Sequence, residues 1–459
     1  MRLRSSPIEQ RHHTATDPSQ ASPARGLLRV LGLGFGVSVT LGNTIGAGIM
    51  GTPGEIAARI PVPALIIAAW VAGGVYSLLG SFAMAELGAM IPRSGGYYVL
   101  TRRAYGEYLS FAVGWTDWMG LCASGALVAI LAGDYAHHLL PRLAGHEVLV
   151  ALAAVMALAL VQWRGVLWGG WAQNITSGIT AVVFLCLIVA GLTLVRKTAS
   201  TATPLPLPSG LALATAVLLV VQTVIYTYDG WYSVIYFGDE IENPGREIPR
   251  AMMTSVLLLA GIYVLTNVAV LHVVPVTEMT RQTLSVAPIA VALVGQYGNS
   301  FVYLVMIVSL LALANATLLD CPRVLYIMAE DGAGFRQFTR VNAGGTPTVG
   351  LWATAAALFL MIISGSFQFV LALGAFFFVA KYTLAYLAVF LLRKKEPETP
   401  RPYRAWGYPW TVGLVLFLSP IFLASALAAD TRHSFYGLSV ILASCPAFWL
   451  LKRRAAARK

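Results

Sequence analysis

Charge is what this chain has least of. Only 11% of its 459 residues are Asp, Glu, Lys or Arg, against about 25% in soluble domains. So few charges leave too little polar surface to wet a globule of this length. Cysteine is also scarce: Cys122, Cys186, Cys321 and Cys445 all fall inside apolar runs, which argues against a disulfide framework. The seven histidines show no metal-ligand spacing. There is no phosphate loop to bind ATP. Gly46-Ala47-Gly48-Ile49-Met50-Gly51 fits a dinucleotide fingerprint letter by letter. It lacks the flanking strand and the downstream acid that such a site needs. No cofactor, metal or catalytic cluster is expected, and an integral-membrane enzyme finds no support.

Long apolar runs are plentiful. Hydrophobic residues make up 58% of the chain and the mean hydropathy is +0.73. Runs of about 20 residues suit membrane-spanning helices rather than barrel strands. About 12 spans are predicted, near 30–57, 63–90, 107–138, 146–163, 169–195, 211–240, 250–274, 298–329, 348–364, 367–392, 409–429 and 435–451. The stretch 285–298 is short, broken by Pro288, and reads as an external half-buried helix. Residues 1–28 read as a disordered cytoplasmic tail, 29–452 as one transmembrane domain and 453–459 as a basic tail.

The net charge of +11 is a topology signal. Roughly 24 basic residues fall on the side of both termini and about 6 on the other, which puts both termini in the cytoplasm. This placement speaks against nucleic acid as a partner. Membrane lipid is the expected surrounding, and the excess of Arg over Lys hints at a bacterial inner membrane.

Two spans differ from the rest. Helix 1 is crowded with glycine between Gly32 and Gly54, and helix 6 carries Asp229-Gly230 at its middle. Glycine disfavours a helix interior, and broken helices at membrane depth occur only where they line a cavity or pack in protein. The two lie five helices apart, the spacing of an inverted repeat whose broken helices meet at the midplane. Close packing through small residues is the competing explanation.

A break would expose amides at Thr44, Gly46, Ala47, Gly48 and Ile49, which attract a carboxylate. Carbonyls at Ile45 and Tyr226 would suit an ammonium. Asp229 is costly at helix centre and so points to function, either pairing with a cationic substrate group or carrying a proton. Capping the second half-helix is the structural alternative. Tyr228 and Trp231 flank it, and Gly230 supplies the turn. Lys381, midway along helix 10, is a second candidate for proton coupling; snorkelling or pairing with a buried acid would explain it equally. Asn43, Asn315, Gln222 and Asp117 are further polar groups at depth. Asn43 and Asn315 either line the cavity or bond between helices. Asp320 and Arg323, three apart, are expected to pair.

Several segments resemble signatures of the amino acid–polyamine–organocation permeases. They are GNTIGAGIM in helix 1, AELGAMIPRSGGYYVL at 85–100, IYTYDGWYSVIYFGDEIENPGREIPRA through helix 6, RVLYIMAEDG at 323–332 and RPYRAWGYPW at 401–410. The resemblance implies an all-α, LeuT-like five-plus-five inverted repeat with two extra helices. It implies alternating access, an amino acid or amine as small-molecule substrate, and coupling to a proton or exchange. There are departures. Thr180 stands where some members carry a helix 5 lysine, Tyr97 replaces an acid, and Lys381 is not part of the pattern. No cysteine follows helix 3, so no disulfide-linked heavy subunit is expected. A transporter-derived sensor, which binds without translocating, is the rival reading.

Overall fold

A computed structural model of the chain describes residues 26–195, 206–280, 284–364, 367–429 and 431–456. Most of the expected N-terminal tail, part of the loop after helix 5, and the extreme C-terminus lie outside them. So do the side chains of 47, 365–380 and most of 423–440. Among the described residues there is no β-strand, only isolated bridges.

Among the described residues sixteen α-helices follow in order. They are α1 Leu33–Thr44, α2 Ala47–Arg59, α3 Pro63–Met90, α4 Tyr97–Tyr105, α5 Glu107–Leu139, α6 Glu147–Arg164, α7 Val166–Thr193 and α8 Gly210–Thr227. Then come α9 Pro244–Val273, α10 Val276–Met279, α11 Ala287–Val294, α12 Gly298–Glu330, α13 Thr348–Ser364, α14 Phe367–Lys395, α15 Trp410–Ala429 and α16 Thr431–Ala456. Seven helices among the described residues are long and apolar enough to cross a membrane, or eight with the bent α1–α2 pair counted as one span. The protein is thus a multi-pass α-helical membrane protein. α13 and the Trp410–Phe422 part of α15 are apolar but shorter, and twelve crossings remain our proposal.

The packing carries the repeat. α3 lies on α9 and α5 on α12, each the counterpart of the other five spans away. α5 also packs on α13 and α14, and α12 answers with α6 and α7. α1 rests on α9, as α8 rests on α3. Exchanging the first five spans for the second five therefore reproduces the main contacts. An odd number of spans per repeat makes the halves inverted.

Three boundaries differ from expectation. α9 begins at Pro244, six residues before the predicted 250, because proline is preorganised for a helix's first turn. Residues 97–105, read as part of a loop, form α4, which buries Tyr97 and Tyr98 together with Val99, Leu100, Thr101 and Ala104. The predicted helix 211–240 stops as an α-helix at Thr227. Beyond it come turns and one 3₁₀ turn, Ser233–Tyr236. Gly230, at φ +109°, is a conformation that only glycine enters freely.

One end of the bundle is laced by ion pairs. Arg93 meets Glu330 and Asp331, Arg102 meets Asp331, Arg103 meets Glu396, and Lys452 meets Glu107. Glu86, buried at the end of α3, takes Arg393 and Arg401 and the Ala405 amide. Loops that the charge pattern assigned to one side thus meet at one end.

Candidate substrate site

The first rod loses its coil at Ile45 and Gly46, which are both extended, and α2 leaves at 44° to α1. Gly46 supplies no side-chain cap to α2. The first amides of α2 are therefore left without an intrahelical partner. Across from them the second rod unwinds at Tyr228–Tyr232. The two breaks touch: a Cβ at Gly230 would press into the Asn43 carbonyl. Tyr263 of α9 ties them further, its hydroxyl donating to the carbonyls of Thr44 at 2.9 Å and Thr227 at 3.2 Å.

Between the breaks lies a cavity of about 260 Å³. Asn43, Thr44, Gly46, Gly48, Tyr226, Thr227, Asp229, Gly230 and Tyr232 form its polar side. The opposite wall is Leu121, Ser124, Leu127, Val128 and Leu131 of α5, with Leu313 of α12. One face is rich in peptide dipoles and the other in hydrocarbon, the chemistry of a small zwitterion with an apolar side chain.

Asp229 is the only carboxylate in this lining. Tyr382 donates a hydrogen bond to one of its oxygens, and the Tyr232 hydroxyl approaches the other at 3.3 Å. The Tyr232 hydroxyl in turn accepts from Lys381 Nζ at 3.0 Å. Lys381 also bonds Asp117 of α5 at 2.8 Å, and Tyr236 donates to the other Asp117 oxygen at 2.8 Å. The ammonium stands over the rings of Tyr97 and Tyr232 at 4.6 and 4.5 Å. Aromatic faces attract a desolvated cation. Where the resembled family has an acid, Tyr97 here faces a lysine. The α14 lysine and the α5 acid, each noted singly in the sequence, form one buried pair.

The other residues singled out are placed as follows. Asn43 lines the cavity and also donates to Ser233 Oγ at 2.7 Å and to Asp320 at 3.5 Å. Ile45 is buried beside the break but is not in the lining. Ala47 begins α2, and its side chain is outside the described residues. The Tyr226 carbonyl accepts from the Asp229 amide at 3.1 Å. Tyr228 turns away, its hydroxyl donating to the Trp70 carbonyl at 3.1 Å. Trp231 stacks on Tyr382, with ring centroids 5.9 Å apart. Asn315 lies in a separate network with Gln162, Gln173 and the Gly169 carbonyl. Thr180 bonds within α7 and meets Ser309 at 3.3 Å.

Two sequence expectations are corrected. Arg323 does not pair with Asp320. It forms a fork with Glu240, at 2.9 and 3.0 Å, both side chains fully buried. A carboxylate facing the guanidinium edge-on accepts two parallel bonds. Asp320 instead accepts from Ser233 at 2.5 Å. The histidines do include a cluster of ligand type: the donor atoms of Asp134, His137 and His138 lie within 4.8 Å of one another. The four cysteines are free, with Cys122 and Cys321 sulfurs 3.9 Å apart.

Reading the sequence missed the α5 wall, Tyr232, Tyr263 and Tyr382. The spacing 121, 124, 128, 131 marks one helix face, but α5 is apolar around most of its circumference and gives that face no contrast.

A family profile described as "Amino acid permease" matches residues 26–449. The chain is 29% identical to the serine/threonine exchanger SteT of Bacillus subtilis (strain 168) over 438 residues, covering 94% of this chain and 98% of that one. It is 26% identical to the human b(0,+)-type amino acid transporter 1 over 451 residues, 94% and 90% of the two chains. With the human cystine/glutamate transporter it shares 24% over 424 residues, 90% and 83%. These relatives are named as transporters and exchangers, and this chain too is a transporter rather than an enzyme. A profile match over nearly the whole length, on a chain whose two interrupted rods enclose a small polar-edged cavity, places it in the amino acid permease family.

Proposed function

We propose that the protein is a secondary transporter that moves a small amino acid by alternating access. The cavity between the two unwound segments is the observation that carries this reading. The substrate carboxylate meets the bare amides at the start of α2, where the helix dipole also favours an anion. The ammonium meets Asp229 and the carbonyls around Asn43 and Thr44. The side chain lies against Leu121, Leu127, Val128 and Leu313. A volume of about 260 Å³ is below the ~300–1,000 Å³ usual for drug-sized ligands, which favours small and medium side chains.

The Lys381–Asp117 pair is our candidate for coupling. It is linked to Asp229 through Tyr232, so a change of charge at the substrate site is felt at the pair. A proton is the partner this linkage favours. Both termini are assigned to the cytoplasm of a bacterial inner membrane, on the distribution of arginine and lysine. The chain is proposed to act without a tethered subunit.

The test is counterflow in proteoliposomes with a panel of labelled amino acids, with and without an imposed pH or sodium gradient. Concentrative uptake or counterflow of at least one small amino acid is expected. Saturable binding with no counterflow for any panel member would favour the sensor reading instead.

A further inference from the structure

The end of α5 carries a group of side chains that neither the proposed substrate site nor the coupling pair uses. Asp134, His137 and His138 are spaced i, i+3, i+4, which puts them on neighbouring positions of one helix turn. Their donor atoms lie within 4.8 Å of one another. Glu147, the first residue of α6, adds a fourth group. Its Oε1 is 3.6 Å from His137 Nδ1, and Asp134 Oδ1 is 3.5 Å from the same nitrogen.

The pieces are held in place. α5 and α6 approach at Gly133, where a Cβ would run into the Glu147 main chain. His138 stacks on Tyr303 of α12 with centroids 5.2 Å apart, and the His137 and His138 rings lie 4.0 Å apart. His137 Nδ1 is shielded from solvent, yet no hydrogen bond satisfies it. A shielded polar atom with no partner carries a desolvation cost. Here it faces two carboxylates, of which Glu147 also accepts from the Gly145 amide at 2.8 Å, and a cation between them would satisfy the nitrogen.

We propose that Asp134, His137, His138 and Glu147 bind a borderline divalent cation of the Zn²⁺ class, fastening the end of α5 to the first turn of α6. Two imidazoles and two carboxylates match the tetrahedral N/O preference of that class. Ca²⁺ and Mg²⁺, which take oxygen ligands, do not fit. Side-chain movement closes Asp134, His137 and His138 to bonds of about 2.0–2.2 Å, and Glu147, whose Oε1 accepts from the Gly145 amide at 2.8 Å, turns to join them. The site lies one turn beyond Leu131, a residue of the cavity wall, so occupancy restrains the helix that faces the substrate.

The test uses full-length, tag-free protein in detergent, with His12 and His13 replaced by Ala to remove the other adjacent histidine pair. ZnCl₂ is titrated by calorimetry, and thermal unfolding is followed with and without metal. One saturable site and a raised unfolding temperature are expected. His137→Gln or His138→Gln weakens binding by about tenfold or more, Glu147→Gln weakens it less, and Ca²⁺ and Mg²⁺ neither bind nor stabilise. Co²⁺ in place of zinc gives the intense visible bands of a tetrahedral centre. Unchanged zinc affinity in the His137→Gln/His138→Gln variant, or no saturable binding at all, overturns the proposal. Neither readout depends on transport.

Discussion

Lys381 Nζ sits 2.8 Å from Asp117 Oδ1, with the lysine side chain 3% exposed and the aspartate fully buried. Neither group has water to fall back on, and each is neutralised by the other. Tyr236 and Tyr232 complete the shell. Lys381→Met leaves a buried carboxylate unpaired and is expected to cost roughly 3–5 kcal/mol. Lys381→Met/Asp117→Asn removes both charges and should recover most of that loss. Thermal unfolding in detergent reads both. In liposomes, the double variant should lose its response to an imposed pH gradient while keeping exchange. A double variant that still responds to the gradient would remove the pair from coupling.

Gly230 combines a positive φ with main-chain contact to the other break. Gly230→Ala strains the backbone by about 1–3 kcal/mol and pushes α1 from the unwound segment. Transport should fall by about tenfold or more while the protein still purifies as a monodisperse species. Wild-type uptake kinetics in this variant would mean that the two breaks need not touch.

Asp229→Asn keeps the shape of the side chain and removes its charge. A hydrogen bond to a charged group contributes about 1.5–3 kcal/mol, so substrate affinity should drop by roughly ten- to a hundredfold. The unfolding temperature should change little. Competition binding against a labelled substrate measures the first quantity and a melting curve the second. Unchanged affinity would take Asp229 out of the site.

Arg323 and Glu240 form a second fully buried pair. It joins the segment after the second break to α12. Arg323→Met strands Glu240 and should destabilise by about 3–5 kcal/mol, whereas Arg323→Met/Glu240→Gln should be milder. If both variants melt together, the pair is not closed in the resting protein.

Much of this was legible because lipid penalises what a soluble core tolerates. Polar residues at depth, such as Asn43, Asp117, Asp229 and Lys381, stand out against apolar surroundings. The glycines of the first rod and Asp229-Gly230 of the second marked where the coil is lost. Partners were not legible. Lys381 and Asp117 are 264 residues apart, and no local pattern links them. Arg323 was expected to pair with Asp320 on its own helix, but the unwound segment after Gly230 brings Glu240 to it instead. That segment departs from α-helix for longer than a single broken turn, and hydropathy is blind to the difference. The α5 wall was hidden for the opposite reason: a helix apolar on all sides does not say which side meets the ligand.

The most direct measurement is competition for uptake by analogues of the transported amino acid in which one end is blocked. If bare amides hold the carboxylate while Asp229 and the neighbouring carbonyls hold the ammonium, the methyl ester and the N-acetyl derivative should each compete at least about tenfold more weakly than the parent. If either derivative competes as well as the parent, that end of the molecule is not held, and the two-ended clamp between the interrupted rods is contradicted.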